Sequence, residues 1–399
     1  MRGSSARGPA ARLARLPPGA RRALAAAAAL ARQKRTPLYL AGGAVRDLLI
    51  GRPVRDLDLV VEGDGLAFGR DLARRLGLPV RAHPRFGTAS IELPESNRLD
   101  VAGCRAETYA HPGALPRVRP GTMAEDLARR DFTINAMALR IWPGPCRLLD
   151  PHGGRADLGR GVVRMLHPAS PRDDPTRAFR AVLYGNRLGF RLEPRTRGWI
   201  RDAVCSGAFE RISGDRLRRE LARILSEPGR AGALGRMSRL GLIPVLHPAL
   251  SGDARARARL ARAERLDGRP LSGATWLAYL LVWATGLTGE EARQLAARLN
   301  LPRGPARVLG RWPDRRRSAG AAPLDADEAL ALAALSGGRT ARLSRDIRIR
   351  GADLLAAGIA PGPAVGRALA ATRSARLAGR IPPEEELAFA LRVAREAAS

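Results

Sequence analysis

Between residues 37 and 104, short strand-type apolar runs alternate with runs at helical spacing, and beyond about residue 150 that alternation stops. Residues 38–41 predict a strand that ends in Gly42-Gly43, and residues 44–50 a helix. Residues 57–61 then predict a second strand, and residues 66–76 an amphipathic helix with apolar side chains on one face. Residues 88–93 and 98–102 predict two more strands, separated by the turn-forming Pro94-Glu95-Ser96-Asn97. This order calls for a compact α+β domain. Residues 171–188, 194–203 and 214–225 predict helices divided by Gly, Pro and Ser, and residues 230–399 are nearly all Ala/Leu/Arg helix with Gly-Pro breaks.

A chain of 399 residues has room for several cores, and an aromatic share of 4% means Leu, Val, Ile and Ala must fill them. No apolar run approaches the roughly 20 residues of a membrane helix. Lys and Arg number 69 against 38 acids, a net charge of +31. That excess points to a polyanionic partner, because basic side chains release counterions from phosphate backbones. A nucleotide bias that turned lysine into arginine would leave Lys34 as the one lysine, as found, but would add no charge. Cys104, Cys146 and Cys205 are scattered, with no CxxC pair, so neither a disulfide framework nor a zinc site is expected, and a reducing cytoplasm fits. Residues 2–35 hold no acid, and their Ala-rich stretch at 23–31 imitates a targeting signal. Short and nearly pure alanine, it predicts instead an opening helix behind a disordered basic arm.

Asp56-Leu57-Asp58 opens the second strand. Residues two apart on a strand share a face, so both acids project together while Leu57 and Leu59 point inward. Neighbouring carboxylates repel unless a cation lies between them, which suits a hard ion such as Mg²⁺. Alone, such a pair also describes two solvated acids on an edge. Upstream, Gly42-Gly43-Ala44-Val45-Arg46-Asp47 places glycines between strand and helix, where backbone N–H groups can approach phosphate. Arg46 lies one turn into that helix, in reach of the same phosphates. Asp100, between Leu99 and Val101 on a neighbouring strand, is costly there unless a metal or hydrogen bond satisfies it. Three such acids suit two metals, one activating a 3′-hydroxyl and one holding the triphosphate and its pyrophosphate leaving group.

These motifs, followed by Arg129-Arg130-Asp131-Phe132-Thr133-Ile134-Asn135-Ala136, resemble the bacterial-type (class II) tRNA nucleotidyltransferase and poly(A) polymerase family. Asp150-Pro151-His152-Gly153-Gly154 and Asp157-Leu158 match its linking segment, so the likeness covers about residues 37 to 228. The resemblance implies a polymerase β-like head with a small mixed sheet, followed by all-helical neck, body and tail. Residues 1–36 would be a basic extension, 37–150 the head, 151–228 the neck and 229–399 the body and tail on tRNA. It further implies that Asp56, Asp58 and Asp100 are catalytic metal ligands for Mg²⁺ in a two-metal site, with Mn²⁺ equally acceptable to oxygen ligands. Gly42, Gly43 and Arg46 would meet the triphosphate, and Arg130, Asp131 and Asn135 the nucleotide's phosphate and ribose.

Asp173-Asp174-Pro175-Thr176-Arg177, followed by Arg180, resembles the family's base-reading motif. There Asp174 and Arg177 would pair with the base's Watson–Crick edge, three residues apart on one helix face. Asp173 stands where relatives carry Glu, and Leu183-Tyr184 where another Arg is common. Both departures suit a site handling ATP alone better than one that must alternate between CTP and ATP. Residues 60–68, His83, residues 85–89 and residues 109–116 resemble the CCA-adding and A-adding branch, and the basic motif of poly(A) polymerases is not evident. The expected activity is therefore addition of CCA, or of the terminal A, to a tRNA 3′ end from CTP and ATP. The alternatives are poly(A) polymerase and a catalytically silent RNA-binding protein. Residues 105–122 read as a flexible loop that closes over substrate, a behaviour hydrogen exchange with and without nucleotide would test. Arg211, Arg216, Arg218, Arg219 and Arg223, and Arg311 with Arg315, Arg316 and Arg317, form basic clusters for an RNA backbone.

Overall fold

The computed structural model describes residues 9–54, 56–94, 97–111, 113, 114, 116–266, 275–317, 327, 328, 331, 347, 349–377 and 381–396. The chain divides into two compact units. The first runs to Arg177 and takes in Leu188–Ala203; the second comprises Ala178–Arg187 and the chain from Val204 on.

The first unit is built on a mixed seven-stranded sheet in the order β3-β4-β5-β2-β1-β8-β9. Its strands are β1 (Leu38–Ala41), β2 (Asp56–Val61), β3 (Val80–His83), β4 (Thr88–Leu93), β5 (Asn97–Gly103), β8 (Ala138–Trp142) and β9 (Arg147–Leu149). β2 and β5 run parallel and the other neighbours antiparallel. One face is apolar: Leu57, Leu59, Ile91, Leu99 and Val101 are at most 1% exposed. Among the helices against the sheet are α2 (Pro18–Lys34), which presents Ala20, Ala23, Ala27 and Ala31, and α4 (Gly65–Leu76), which presents Phe68 and Leu72. Asp64 starts α4 by accepting from the Ala67 N–H at 2.9 Å, and Gly77 ends it in the left-handed region. The opposite face carries the acids.

Four expectations are corrected here. The basic arm is helical in part: α1 (Pro9–Leu13) places a buried Arg12 on the Leu48 and Leu49 carbonyls, which end α3 (Gly43–Ile50). The stretch read as a flexible loop contains a hairpin, with β6 (Arg105–Thr108) antiparallel to β7 (Arg117–Pro120). The region after Asp150 is not wholly helical. Behind α5 (Met123–Ala128) and α6 (Gly154–Arg160), β10 (Val162–Val163) pairs in parallel with β11 (Arg191–Leu192). The helix expected over 171–188 is two helices, α7 (Ser170–Asp173) and α8 (Thr176–Arg187), because Pro175 disfavours a helical residue before it and Asp174 is extended (φ −131°, ψ 92°). Asp174 and Arg177 therefore do not share one continuous helix face.

The second unit is helical in its described residues. After α9 (Pro194–Cys205), which begins in the first unit, come α10 (Gly214–Ser226), α11 (Arg230–Leu240), α12 (Ile243–Leu246), α13 (Ala254–Leu266), α14 (Thr275–Trp283), α15 (Gly289–Arg298) and α16 (Arg303–Arg317). The apolar α14 is central, with Tyr279 fully buried beneath the Arg230 guanidinium, 3.6 Å from the ring centroid. Farther on, α17 (Gly351–Ala356), α18 (Pro363–Leu377) and α19 (Glu386–Glu396) join Leu354, Ala368, Ala390 and Ala394 in a small core.

Candidate active site

The acids gather where β2 and β5 lie side by side. In that parallel register Asp58 pairs with Asp100, and Asp56 with Arg98. One strand further, Ser90 of β4 faces Asp100 and donates its hydroxyl to Asp100 Oδ1 at 2.5 Å. Arg98 Nε stands 3.1 Å from Asp100 Oδ2 and 3.8 Å from Asp56 Oδ1. Burial pushes the Asp58 carboxyl above its ordinary value, the Arg130 guanidinium pulls it back, and the charges of Asp100 and Asp56 add to the push. The donor set is oxygen alone, with a cationic side chain already between two of its members, so its chemistry fits a hard divalent ion. Among the described residues, no three His, Cys, Asp or Glu side chains converge as a finished metal cage.

Beside the acids, Gly42 ends β1 with φ +72° and donates its N–H to Met137. A Cβ here would fall 2.5 Å from Arg130 Nη1 and 3.7 Å from Asp58 Oδ2. Glycine suits the backbone angle, and a Cβ would make the end of the Arg130 side chain shift from its place beside Asp58. Arg130 is aimed by Asp126 of α5, a fully buried carboxylate whose Oδ2 accepts from Arg130 Nη2 at 2.9 Å and whose Oδ1 accepts from Arg129 Nε at 3.0 Å. Burial raises the Asp126 pKa, but Arg130 and Arg129 outweigh it and hold the carboxyl below its ordinary value. Arg129 also donates to Glu107 on the hairpin at 2.8 Å.

A second chain of contacts lies deeper. Arg46, 4% exposed, spends Nε and Nη2 on Asp47 and donates Nη1 to Asn135 Oδ1 at 2.8 Å. Asn135 donates to Asp131 Oδ1 at 3.1 Å, and that oxygen also accepts the Phe132 N–H. The turn holding Asn135 leans on α6, where Asp150 caps the helix through the Gly154 and Arg155 N–H groups. Gly154 lets this helix approach, since a Cβ there would lie 2.2 Å from the Thr133 carbonyl. Asp157, one turn on, accepts from Thr133 Oγ1 at 2.7 Å and from Arg164.

The structure thus brings Asp56, Asp58, Asp100, Gly42, Gly43, Arg46, Arg130, Asp131 and Asn135 together in the first unit. Asp174 and Arg177 lie in the same unit. Asp174 Oδ1 accepts from Thr176, and Arg177, 4% exposed, donates to Ser170 Oγ at 2.7 Å and to the Arg129 carbonyl at 2.8 Å. Arg180 belongs to the second unit. Sequence reasoning missed Asp126, Ser90 and Arg98. Asp126 was findable, since an acid three and four residues ahead of two arginines on a helix can bond both. Among the basic clusters, Arg218 pairs with Asp215 and Arg311 with Glu328, so neither is simply presented to solvent. The side chains of Arg315, Arg316 and Arg317 lie outside the described residues.

Residues 38–164 match the family model "Poly A polymerase head domain", and residues 189–253 match "Probable RNA and SrmB-binding site of polymerase A". A CC-adding tRNA nucleotidyltransferase of Deinococcus radiodurans is 35% identical over 363 residues, 90% of this chain and 89% of that protein. The chain belongs to the bacterial-type tRNA nucleotidyltransferase and poly(A) polymerase family. Within that family, A-adding tRNA nucleotidyltransferases of Geobacter sulfurreducens and Halalkalibacterium halodurans are 44% identical over 215 residues and 39% over 246. Those matches take in 54% and 61% of this chain but 24% and 57% of the relatives' own length. The fold is a family fold too. A CCA-adding enzyme in an apo form superposes with a TM-score of 0.72 at 28% identity, over 96% of this chain and 97% of the other. The Thermotoga maritima CCA-adding enzyme complexed with tRNA gives 0.68 at 27%, over 98% and 99%.

Proposed function

We propose that this protein is a template-independent nucleotidyltransferase that extends the 3′ end of tRNA, with ATP as donor. The observation that supports it is the carboxylate edge of Asp56, Asp58 and Asp100 next to Gly42 and Arg130, in a chain of this family. Asp56, Asp58 and Asp100 would hold Mg²⁺, with Ser90 fixing one oxygen of Asp100. When bound, the metal supplies Lewis acidity to the attacking 3′-hydroxyl and to the departing pyrophosphate. Arg130 offers positive charge to the phosphates, and Asp131 with Asn135 hydrogen-bonds the ribose. Buried on Asp47 and Asn135, Arg46 positions Asn135 more than it reaches for substrate. Asp174 and Arg177 form the base-reading group, braced by Ser170 and the Arg129 carbonyl. We place the enzyme in the cytoplasm, in keeping with its tRNA substrate. Among the described residues no helix is long and apolar enough to cross a membrane.

Which nucleotide is added separates two readings. The A-adding relatives have the higher identities, and Asp173 and Leu183 depart from the family's usual base-reading motif in a way that suits a site handling ATP alone. Addition of C is favoured by one observation, the near full-length match to the CC-adding relative. The test is incorporation into tRNAs ending before, within and after CC, with CTP and ATP given separately and together. A single A on the CC-ended tRNA is the expected result. Addition of C residues alone would establish the second reading, C, C and A in order a complete CCA-adding enzyme, and long A tracts a poly(A) polymerase. Folded protein that binds tRNA and adds nothing would leave only a silent scaffold.

A further inference from the structure

Arg98 is absorbed by none of the roles above, yet it stands among the three acids. The β2–β5 register sets it opposite Asp56, and its place two residues before Asp100 puts it on the same open face. Its Nε is 3.1 Å from Asp100 Oδ2 and 3.8 Å from Asp56 Oδ1, while Ser90 holds the other oxygen of Asp100. A guanidinium stays charged at any working pH and has no lone pair to offer a metal. It can leave Asp100 only by swinging away, and the side chain is 49% exposed, so the way to solvent is open.

We infer that Arg98 is a built-in counter-cation that competes with the divalent ion for Asp56 and Asp100. This rests on the metal-dependent reading proposed above. With Arg98 in place the acids are neutralised in part, and the nucleotide-free protein binds the ion weakly. An ion that takes Asp100 must displace the guanidinium, and the charge delivered with the triphosphate favours that exchange. The competing description is a half-exposed cross-strand ion pair, worth little and without bearing on the metal.

The two descriptions differ in metal affinity, which can be read without turnover. Mn²⁺ binding to the nucleotide-free full-length protein would be followed by electron paramagnetic resonance in wild type, Arg98→Ala and Arg98→Lys. With the screening of bulk water, a unit charge about 5 Å from a divalent ion opposes it enough for a roughly tenfold change. Arg98→Ala is expected to bind Mn²⁺ about tenfold more tightly, Arg98→Lys close to wild type, and Asp58→Asn in the Arg98→Ala background to lose the gain. Unchanged or weaker binding in Arg98→Ala, with melting temperature preserved, overturns the inference and leaves the metal site standing. If no variant binds Mn²⁺ even with ATP present, the metal-dependent reading fails as well.

Discussion

Two neighbouring regions of the first unit solve opposite problems. Along the β2–β5 edge, carboxylates of like charge stand together, with Ser90 on Asp100 and a half-exposed Arg98 as the partners found for that acid. Around Asp126 and Asn135 the polar side chains hold one another: Asp126 holds two arginines, Arg46 holds Asn135, and Asn135 holds Asp131. The first region stores repulsion that a ligand relieves. The second has satisfied its charges in advance, so it fixes where Arg130 and Asn135 sit. Under the proposed function, chemistry belongs to the edge, and aim belongs to the network.

The sharpest division is expected from the edge. Asp56→Ala and Asp58→Ala should each slow nucleotide transfer by about a thousandfold or more, roughly 4 kcal/mol of barrier, with an unchanged melting temperature. In the network the loss should be in the fold. Asp126→Ala leaves two partly buried guanidinium groups without their carboxylate, and urea unfolding should show a loss of about 3–5 kcal/mol. The same carboxyl predicts an acid limit, since its folded pKa lies below the ordinary carboxyl value. The stability it contributes is full above the unfolded value and is lost as pH falls through the folded one. Wild type should therefore lose stability below about pH 4, and Asp126→Asn should lack that part of the dependence. Arg46→Lys keeps the charge but not the fork on Asp47 and Asn135, so KM for ATP should rise about tenfold with kcat less affected. Gly42→Ala should cost folding less than Asp126→Ala, about 1–2 kcal/mol, from its positive φ and the displaced Arg130. Equal losses of kcat in Arg46→Lys and Asp58→Ala would erase the division.

The central strands were legible because they pair a short apolar run with a polar or turn-forming flank, as at residues 38–41 before Gly42-Gly43 and 57–61 after Asp56. β3 escaped because Val80–His83 is a short edge strand whose residues are half-buried or exposed, so its Val-Arg-Ala-His alternation is too brief to stand out. The β6–β7 hairpin was hidden by its composition. Arg117–Pro120 is exposed throughout, and nothing in Pro-, Gly- and Arg-rich sequence distinguishes a solvated strand from a loop. The break at Asp174 was written in Pro175, and the helical spacing around it overrode that signal. Of the site, Asp56, Asp58 and Asp100 could be read from strand parity. The ties of Arg46 to Asn135 and of Arg177 to the Arg129 carbonyl join residues far apart in sequence, which no local pattern reports.

The division rests on one claim, that the Asp56–Asp58–Asp100 edge performs metal-dependent transfer to a tRNA end. Its most direct test is a Mg²⁺ titration of single-turnover AMP transfer to CC-ended tRNA, with wild type and Asp58→Asn compared at matched tRNA binding. The account predicts a Mg²⁺-dependent rate for wild type and a rate lower by about a thousandfold for Asp58→Asn, with tRNA and ATP affinities within a few-fold. Transfer by Asp58→Asn at the wild-type rate and with the same Mg²⁺ dependence would contradict it.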